Sequence, residues 1–233
     1  MEIEVPVPCA ECGRIPSLCV CQYVEPTRVK TKVIVLQHPQ EPGMEIGTAP
    51  ILSKLFSGAV VKTGLSWPNL KKVAGAEADA KQWGVLYMGS VHVENLPAEG
   101  KLFAVDKKGA LLEDQRTTLS KLKGLVLIDG TWSQAKALWW RNAWLLKLQR
   151  LVLNPGVRSA YDQIRKEPRK GCLSTLESAA IALAALEKRD ELPTLAAAPL
   201  AKLIEAVKKS GSPSRSGAAR PARKDWRRKK KRP

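Results

Sequence analysis

Apolar and polar positions alternate in two ways along this chain. Short apolar runs, partly β-branched, recur at Val29–Leu36, Ala59–Thr63, Trp83–Met88, Leu125–Ile128 and from Gln149 to an end at Asn154-Pro155. Runs of this length bounded by turn residues fit strands buried on both faces, as in a parallel sheet. Leu102–Val105, followed by Asp106-Lys107-Lys108-Gly109, reads as a further strand or an edge hairpin. Between the runs the period changes to that of a helix. Pro50–Phe56 opens with a proline suited to a first turn. Trp132, Ala135, Leu138, Trp139, Asn142 and Leu145–Leu146 share one face, with Lys136 and Arg141 interleaved. Leu173–Leu186 carries Ser174 and Glu177 at capping-box spacing, and Pro199–Val207 is a last helix. The stretch around Trp67 and Lys71-Lys72 shows no clear element. Strands alternating with helices predict an α/β domain with a mostly parallel sheet.

Leu125–Ile128 stops at Asp129-Gly130, a turn signal, and a helical pattern begins at once. Ligands of open α/β sheets settle outside the carboxyl ends of the strands. Asp129, Thr131 and Trp132 therefore stand where a carboxylate, a hydroxyl and a flat ring can converge on one. A plainer reading is also open: Asp129 or Thr131 caps the helix and Trp132 packs beneath it. The first strand leads likewise into Gln37-His38-Pro39-Gln40-Glu41 and then Gly47-Thr48-Ala49, a loop able to offer backbone amides to an anionic group. His38 and Glu41 are ligand contacts or, for a histidine at a strand end, structural hydrogen-bonding groups. Trp139 and Trp140 cannot face the same way on a helix, so one of them stands exposed near basic side chains.

The chain of 233 residues suffices for one substantial core and an appendage. Its 39 Lys and Arg against 22 Asp and Glu give a net +17, which points to a polyanionic partner, nucleic acid before membrane surface. No run of apolar residues is long enough to span a bilayer, and the acidic N-terminus has no signal-peptide pattern, so no membrane partner and a cytoplasmic location are expected. From Lys208 onward twelve basic residues accompany a single acid, Asp225, a surplus of 11 out of the 17. That composition predicts a disordered basic tail adding salt-sensitive affinity for nucleic acid. At the other end Cys9, Cys12, Cys19 and Cys21 fall within thirteen residues. Four thiolates this close can close the tetrahedral shell of a structural zinc; two disulfides are the alternative, disfavoured in a reducing compartment. The expected division is a zinc knuckle over 1–28, an α/β domain over 29–207 and the tail over 208–233. There is no dinucleotide-binding glycine fingerprint and no internal repeat.

Asp129-Gly130-Thr131-Trp132 resembles the Asp-x-Thr-Trp signature of the DTW-domain family, the tRNA-uridine aminocarboxypropyltransferases. The four cysteines are similar to that family's N-terminal knuckle, and Gln37-His38-Pro39-x-Glu41 to its His-Pro-x-Glu loop, with Thr48 on the loop threonine. Tyr161-x-x-Ile164-Arg165-Lys166-x-Pro168 and Leu173-Ser174-Thr175-x-Glu177 resemble its C-terminal motifs, in the same order along the chain. Gly47 departs from the pattern, standing where many members have Asn, and the basic tail lies outside it. The resemblance implies a SPOUT-like fold with a C-terminal knot. It also implies S-adenosylmethionine bound by residues such as Thr48, Leu153, Asn154, Tyr161, Ser174 and Thr175. The implied reaction carries the 3-amino-3-carboxypropyl group to N3 of a tRNA uridine. On that reading Asp129 is the base, Thr131 orients it or a polar group of the cofactor, and Trp132 stacks on the uracil or the adenine. His38, Arg165, Lys166 and Arg169 contact the tRNA. A SPOUT-type RNA methyltransferase and a non-catalytic RNA-binding module are the rival readings.

Overall fold

The structure, a computed structural model, describes residues 6–98, 101–156, 158–164 and 173–211. Its strands are β1 (Thr27–Arg28), β2 (Lys32–Gln37), β3 (Phe56–Ser57), β4 (Val60–Thr63), β5 (Trp83–Leu86), β6 (Leu102–Val105), β7 (Gly124–Asp129) and β8 (Gln149–Leu153). Its α-helices are α1 (Ala49–Leu55), α2 (Leu70–Ala74), α3 (Gln115–Ser120), α4 (Trp132–Arg141), α5 (Thr175–Glu187) and α6 (Leu192–Ser210). A six-stranded sheet runs in the order β4-β2-β7-β5-β8-β6, parallel throughout except for β6, which lies antiparallel to β8 at one edge. Strands β1 and β3 form a separate parallel pair.

The apolar runs make the central strands because both faces of the sheet are covered. Along β2, Val33 and Val35 join a core with α1, α5 and α6, while Ile34 and Leu36 join another with α2 and the aromatic residues Trp139 and Trp144. Neighbouring β7 divides its side chains the same way, Leu125 and Leu127 to one side and Val126 to the other. Leu18, Val20 and Val24, just after the cysteines, bury into the first of these cores, so the N-terminal segment packs on the main domain.

Element ends differ from the sequence pattern where side chains intercept the backbone. Strand β2 begins at Lys32, not Val29, because the amides of Lys30 and Thr31 donate to Glu187 Oε1 at 2.8 and 2.7 Å. Helix α4 stops at Arg141 because Asn142 turns its side chain onto the backbone, its Nδ2 donating to the Leu138 and Leu65 carbonyls. The face expected to continue to Leu146 becomes a 3-10 turn over Ala143–Lys147. The stretch expected to lack structure contains α2, capped by the Asn69 side chain accepting from the Lys72 amide.

The last helix also starts earlier and ends later than expected. Pro193 occupies its first turn, and Pro199, expected there, is buried inside it. The apolar stripe Leu192, Ala196, Leu200, Leu203 and Val207 holds the helix together across the amide that Pro199 lacks. Lys208 and Lys209 lie on this helix, Lys209 paired with Glu205. Among the described residues no helix is long and apolar enough to cross a membrane. Residues 157 and 165–172, in the C-terminal region where a knot was expected, lie outside the described residues, as does the part of the expected tail from 212 onward.

Candidate functional site

Asp129 is the last residue of the central strand β7, paired in register with Gln37, the last residue of β2. Its carboxylate is buried, at 7 % exposure. Oδ2 accepts from Gln37 Nε2 at 2.9 Å, and Oδ1 accepts from the Thr175 hydroxyl at 2.5 Å. Gln37 Oε1 in turn accepts from the hydroxyl of Thr63, the last residue of β4, at 3.1 Å. The ends of β2 and β4 and the first residue of α5 thus hold the carboxylate at the end of β7 through neutral donors. A carboxylate offers about four acceptor sites, so each oxygen keeps capacity for one further proton donor. Asp129 does not cap α4. Thr131 does: its Oγ1 accepts from the Gln134 amide at 3.4 Å, and Gln134 Oε1 accepts from the Thr131 amide at 2.6 Å.

A cavity of about 180 Å³ opens at the carboxyl ends of β5, β7 and β8. Leu86, Leu127, Leu151, Leu153 and Leu173 give it apolar walls; Thr175 and Ser178 supply hydroxyls, and Trp132 and Tyr87 aromatic rings. Its lining carries no charged side chain, although Ile128 and Gly130 on either side of Asp129 and its partner Thr175 all belong to it. Gly130 takes φ +156, and a Cβ there would meet Gln134 Cβ at 3.0 Å and His38 Cβ at 3.4 Å. The Tyr87 ring stacks on Trp139, centroids 4.0 Å apart and 9° from parallel, and burial raises its phenol above the usual range. An uncharged apolar slot with a few hydroxyls suits a flat, neutral heterocycle better than a phosphate.

The loop after β2 is clamped from three sides. Arg14 donates from Nε to the Glu45 carbonyl at 2.9 Å and from Nη2 to the Gly47 carbonyl. The buried Tyr161 hydroxyl donates to the Ile46 carbonyl at 2.7 Å. Thr48 Oγ1 accepts from the Leu176 amide at 3.3 Å. Of the residues assigned to the cofactor from sequence, Leu153 and Thr175 line the cavity. Thr48 and Tyr161 anchor this loop, Ser174 caps α5 with Glu177, and Asn154 Nδ2 donates to the Pro97 carbonyl. His38 adjoins the site: its amide donates to the Asp129 carbonyl at 3.0 Å, and its Nδ1 accepts from the Gln40 amide at 3.3 Å. Arg165, Lys166 and Arg169 lie outside the described residues. Gln37, Thr63 and Arg14 were missed as site residues; the one signal for Gln37 and Thr63 was a polar residue closing a strand.

The sulfur atoms of Cys9, Cys12, Cys19 and Cys21 all lie within 4.8 Å of one another. Cys9 Sγ and Cys21 Sγ are 4.0 Å apart, and Cys12 Sγ and Cys19 Sγ 3.8 Å. These are not disulfides. Tetrahedral zinc with Zn–S bonds of about 2.3 Å sets neighbouring sulfurs about 3.8 Å apart, so the donor set fits that ion in number, type and spacing. The amides of Cys12 and then Glu11 bring the Cys9 thiol down to about 6, while burial pushes Cys19 and Cys21 up.

Fold and site together define an open-sheet α/β domain with a cavity at its strand ends and a cysteine cluster packed on its flank. The chain matches the DTW domain over residues 7–209 and belongs to that family. It is similar to tRNA-uridine aminocarboxypropyltransferase 2 of Drosophila melanogaster, 34% identical over 203 residues, 84% of this chain and 73% of that protein. The Mus musculus protein of the same description is 30% identical over 203 residues, again 84% of this chain. Similarity extends to tRNA-uridine aminocarboxypropyltransferase A of Arabidopsis thaliana, 24% identical over 200 residues, 78% of this chain and 74% of that protein. The chain spans 61% of the length of the mouse relative. No solved structure matches it.

Proposed function

We propose that this protein is a tRNA-uridine aminocarboxypropyltransferase, carrying the 3-amino-3-carboxypropyl group of S-adenosylmethionine to N3 of a tRNA uridine. The observation that carries this reading is the buried Asp129 carboxylate, held by Gln37 and Thr175 at the rim of an uncharged apolar cavity. It agrees with the relatives in mouse, fly and Arabidopsis thaliana, which are tRNA-uridine aminocarboxypropyltransferases. S-adenosylmethionine supplies an electrophilic carbon beside its sulfonium, and the enzyme selects which carbon by orientation. The cavity walls Leu86, Leu127 and Leu153 suit the adenosyl portion, with Thr175 and Ser178 as hydroxyl partners. Uracil N3 must lose its proton to attack. Asp129 takes it, N3 forms the new bond to the γ-carbon of the aminocarboxypropyl group, and the C–S bond breaks to release methylthioadenosine. Trp132, at the cavity wall, stacks on the uracil or the adenine. The capping role of Thr131 leaves Gln37 and Thr175 as the groups that aim the carboxylate.

The remaining parts of the reading follow the family. The fold is SPOUT-like, with a knot near the C-terminus, and residues 1–28, 29–207 and 208–233 are the knuckle, catalytic domain and tail. Cys9, Cys12, Cys19 and Cys21 hold a structural zinc. Arg165, Lys166, Arg169 and the basic tail contact tRNA phosphates, His38 contributes to the same surface, and the protein works in the cytoplasm. The test is incubation of the purified chain with S-adenosylmethionine and unmodified tRNA, followed by mass spectrometry of the nucleosides. Uridine heavier by an aminocarboxypropyl group is the expected product. A methylated nucleoside identifies a methyltransferase, and no product with retained tRNA binding identifies a binding module.

A further inference from the structure

Helix α4 leads away from the cavity carrying a tryptophan in solvent. Trp139 is buried in its stack with Tyr87, which turns its neighbour Trp140 outward to 70 % exposure. Lys136 one turn before it, Arg141 beside it, and Lys147 and Leu146 in the following turn are exposed as well. Trp132 at the cavity wall, Lys136 and Trp140 follow at spacings of four, so they form one stripe that begins at the cavity and ends about 12 Å along the helix axis.

The charge around this stripe is one-sided. From Gly130 to Tyr161 there is no Asp or Glu. The segment that packs against the end of α4 comes from residues 46–76, which also contain none. Ser66 Oγ donates to the Arg141 carbonyl, and the Trp67 amide to Asn142 Oδ1. Helix α2 buries Leu70 and Val73 in the same core as Trp139 and exposes Lys71 and Lys72.

We propose that this face of α4 is an RNA-contact surface, with Trp140 stacking on an unpaired base of the tRNA and Lys136, Arg141 and Lys147 meeting its phosphates. Base stacking on an exposed ring flanked by cations is sequence-tolerant and salt-sensitive, which suits a strand being led toward Asp129. A second copy of the chain is the poorer occupant. A two-fold interface centred here would set the lysines and arginine of both copies together with no carboxylate from either segment to neutralise them. The inference rests on the tRNA reading given above.

The test measures tRNA binding by the full chain and its Trp140→Ala and Trp140→Phe variants, with S-adenosylmethionine affinity and aminocarboxypropyl transfer alongside. Trp140→Ala is expected to raise the tRNA Kd and KM by about 5- to 100-fold, and Trp140→Phe to keep most of the affinity. S-adenosylmethionine affinity should not move. Lys136→Gln should lower the slope of log affinity against log salt by about one. Wild-type tRNA affinity in Trp140→Ala overturns the inference, as does light scattering that finds a wild-type dimer made monomeric by Trp140→Ala. If the wild type binds tRNA without transferring the group, the enzymatic reading fails and the Trp140 comparison still decides this one. If the wild type binds no tRNA, both fall.

Discussion

Gln37 and Asp129 end two neighbouring parallel strands in exact register, and the Gln37 amide nitrogen donates to the Asp129 carboxylate at 2.9 Å. The pairing follows from the ladder: Lys32 lies opposite Gly124, and five residues later the two strands finish together. Thr63 extends the row on one side and Thr175 closes it on the other. A carboxylate on a loop would sample several rotamers; this one is fixed by two directional bonds from rigid elements.

A second carboxylate in place of the amide tests that arrangement. Gln37→Glu removes the donor and brings a like charge into hydrogen-bond reach of Asp129, and two carboxylates sharing a site resist joint ionisation. The paired hydrogen bond that aims Asp129 is lost with it. Group transfer should fall by about tenfold or more, with S-adenosylmethionine affinity close to wild type. Normal transfer would separate Gln37 from the chemistry.

Gly130 makes a second test. Its φ of +156 is closed to side chains at ordinary cost, and the added Cβ crowds Gln134 and His38. Gly130→Ala should destabilise the domain by about 1–3 kcal/mol, read from the urea midpoint. Because Gln134 belongs to the cap of α4, transfer should fall further than the folded fraction does.

Much of this site was legible along the chain, and what was not depended on register and distance. A four-residue apolar run, Asp-Gly and a capping pattern marked the end of β7 and the start of α4 without tertiary information. Ser174 and Glu177 marked α5 in the same way. Gln37 showed only as a polar residue after an apolar run; its partner is 92 residues away and is chosen by strand register. Thr175 was read as a cofactor contact, and its hydroxyl also lies on Asp129, 46 residues away, because α5 starts over the end of β7. Arg14 gave no signal, since its partners are backbone carbonyls of a distant loop. The last helix was expected to begin at Pro199; it begins at Leu192 with Pro193 in its first turn, because the buried apolar stripe carries the helix past Pro199.

Metal content tests the knuckle. Protein purified without chelator should carry about one equivalent of zinc per chain, and Cys12→Ser or Cys21→Ser should lose most of it. Arg14 ties the cysteine segment to the Glu45 and Gly47 carbonyls, so chelation should also loosen the loop after β2, seen as faster amide exchange there. Metal-free protein with the same stability and exchange would contradict a structural ion.

Removal of residues 212–233, past the end of α6, deletes ten basic residues and one acid, a surplus of 9 positive charges. The truncation should leave the catalytic fold intact and weaken tRNA binding most at low salt. The slope of log affinity against log salt should fall in magnitude, because fewer counterions are released on binding. An unchanged slope would mean that the tail does not touch the RNA.

The most direct measurement is single-turnover transfer by Asp129→Asn, with S-adenosylmethionine and tRNA affinities measured in parallel. Asparagine can accept from Gln37 and donate to the Thr175 hydroxyl, so the row of hydrogen bonds survives while the base is lost. Transfer should drop by about 10²–10⁴-fold with both affinities close to wild type. Near wild-type transfer by Asp129→Asn would contradict proton removal by Asp129.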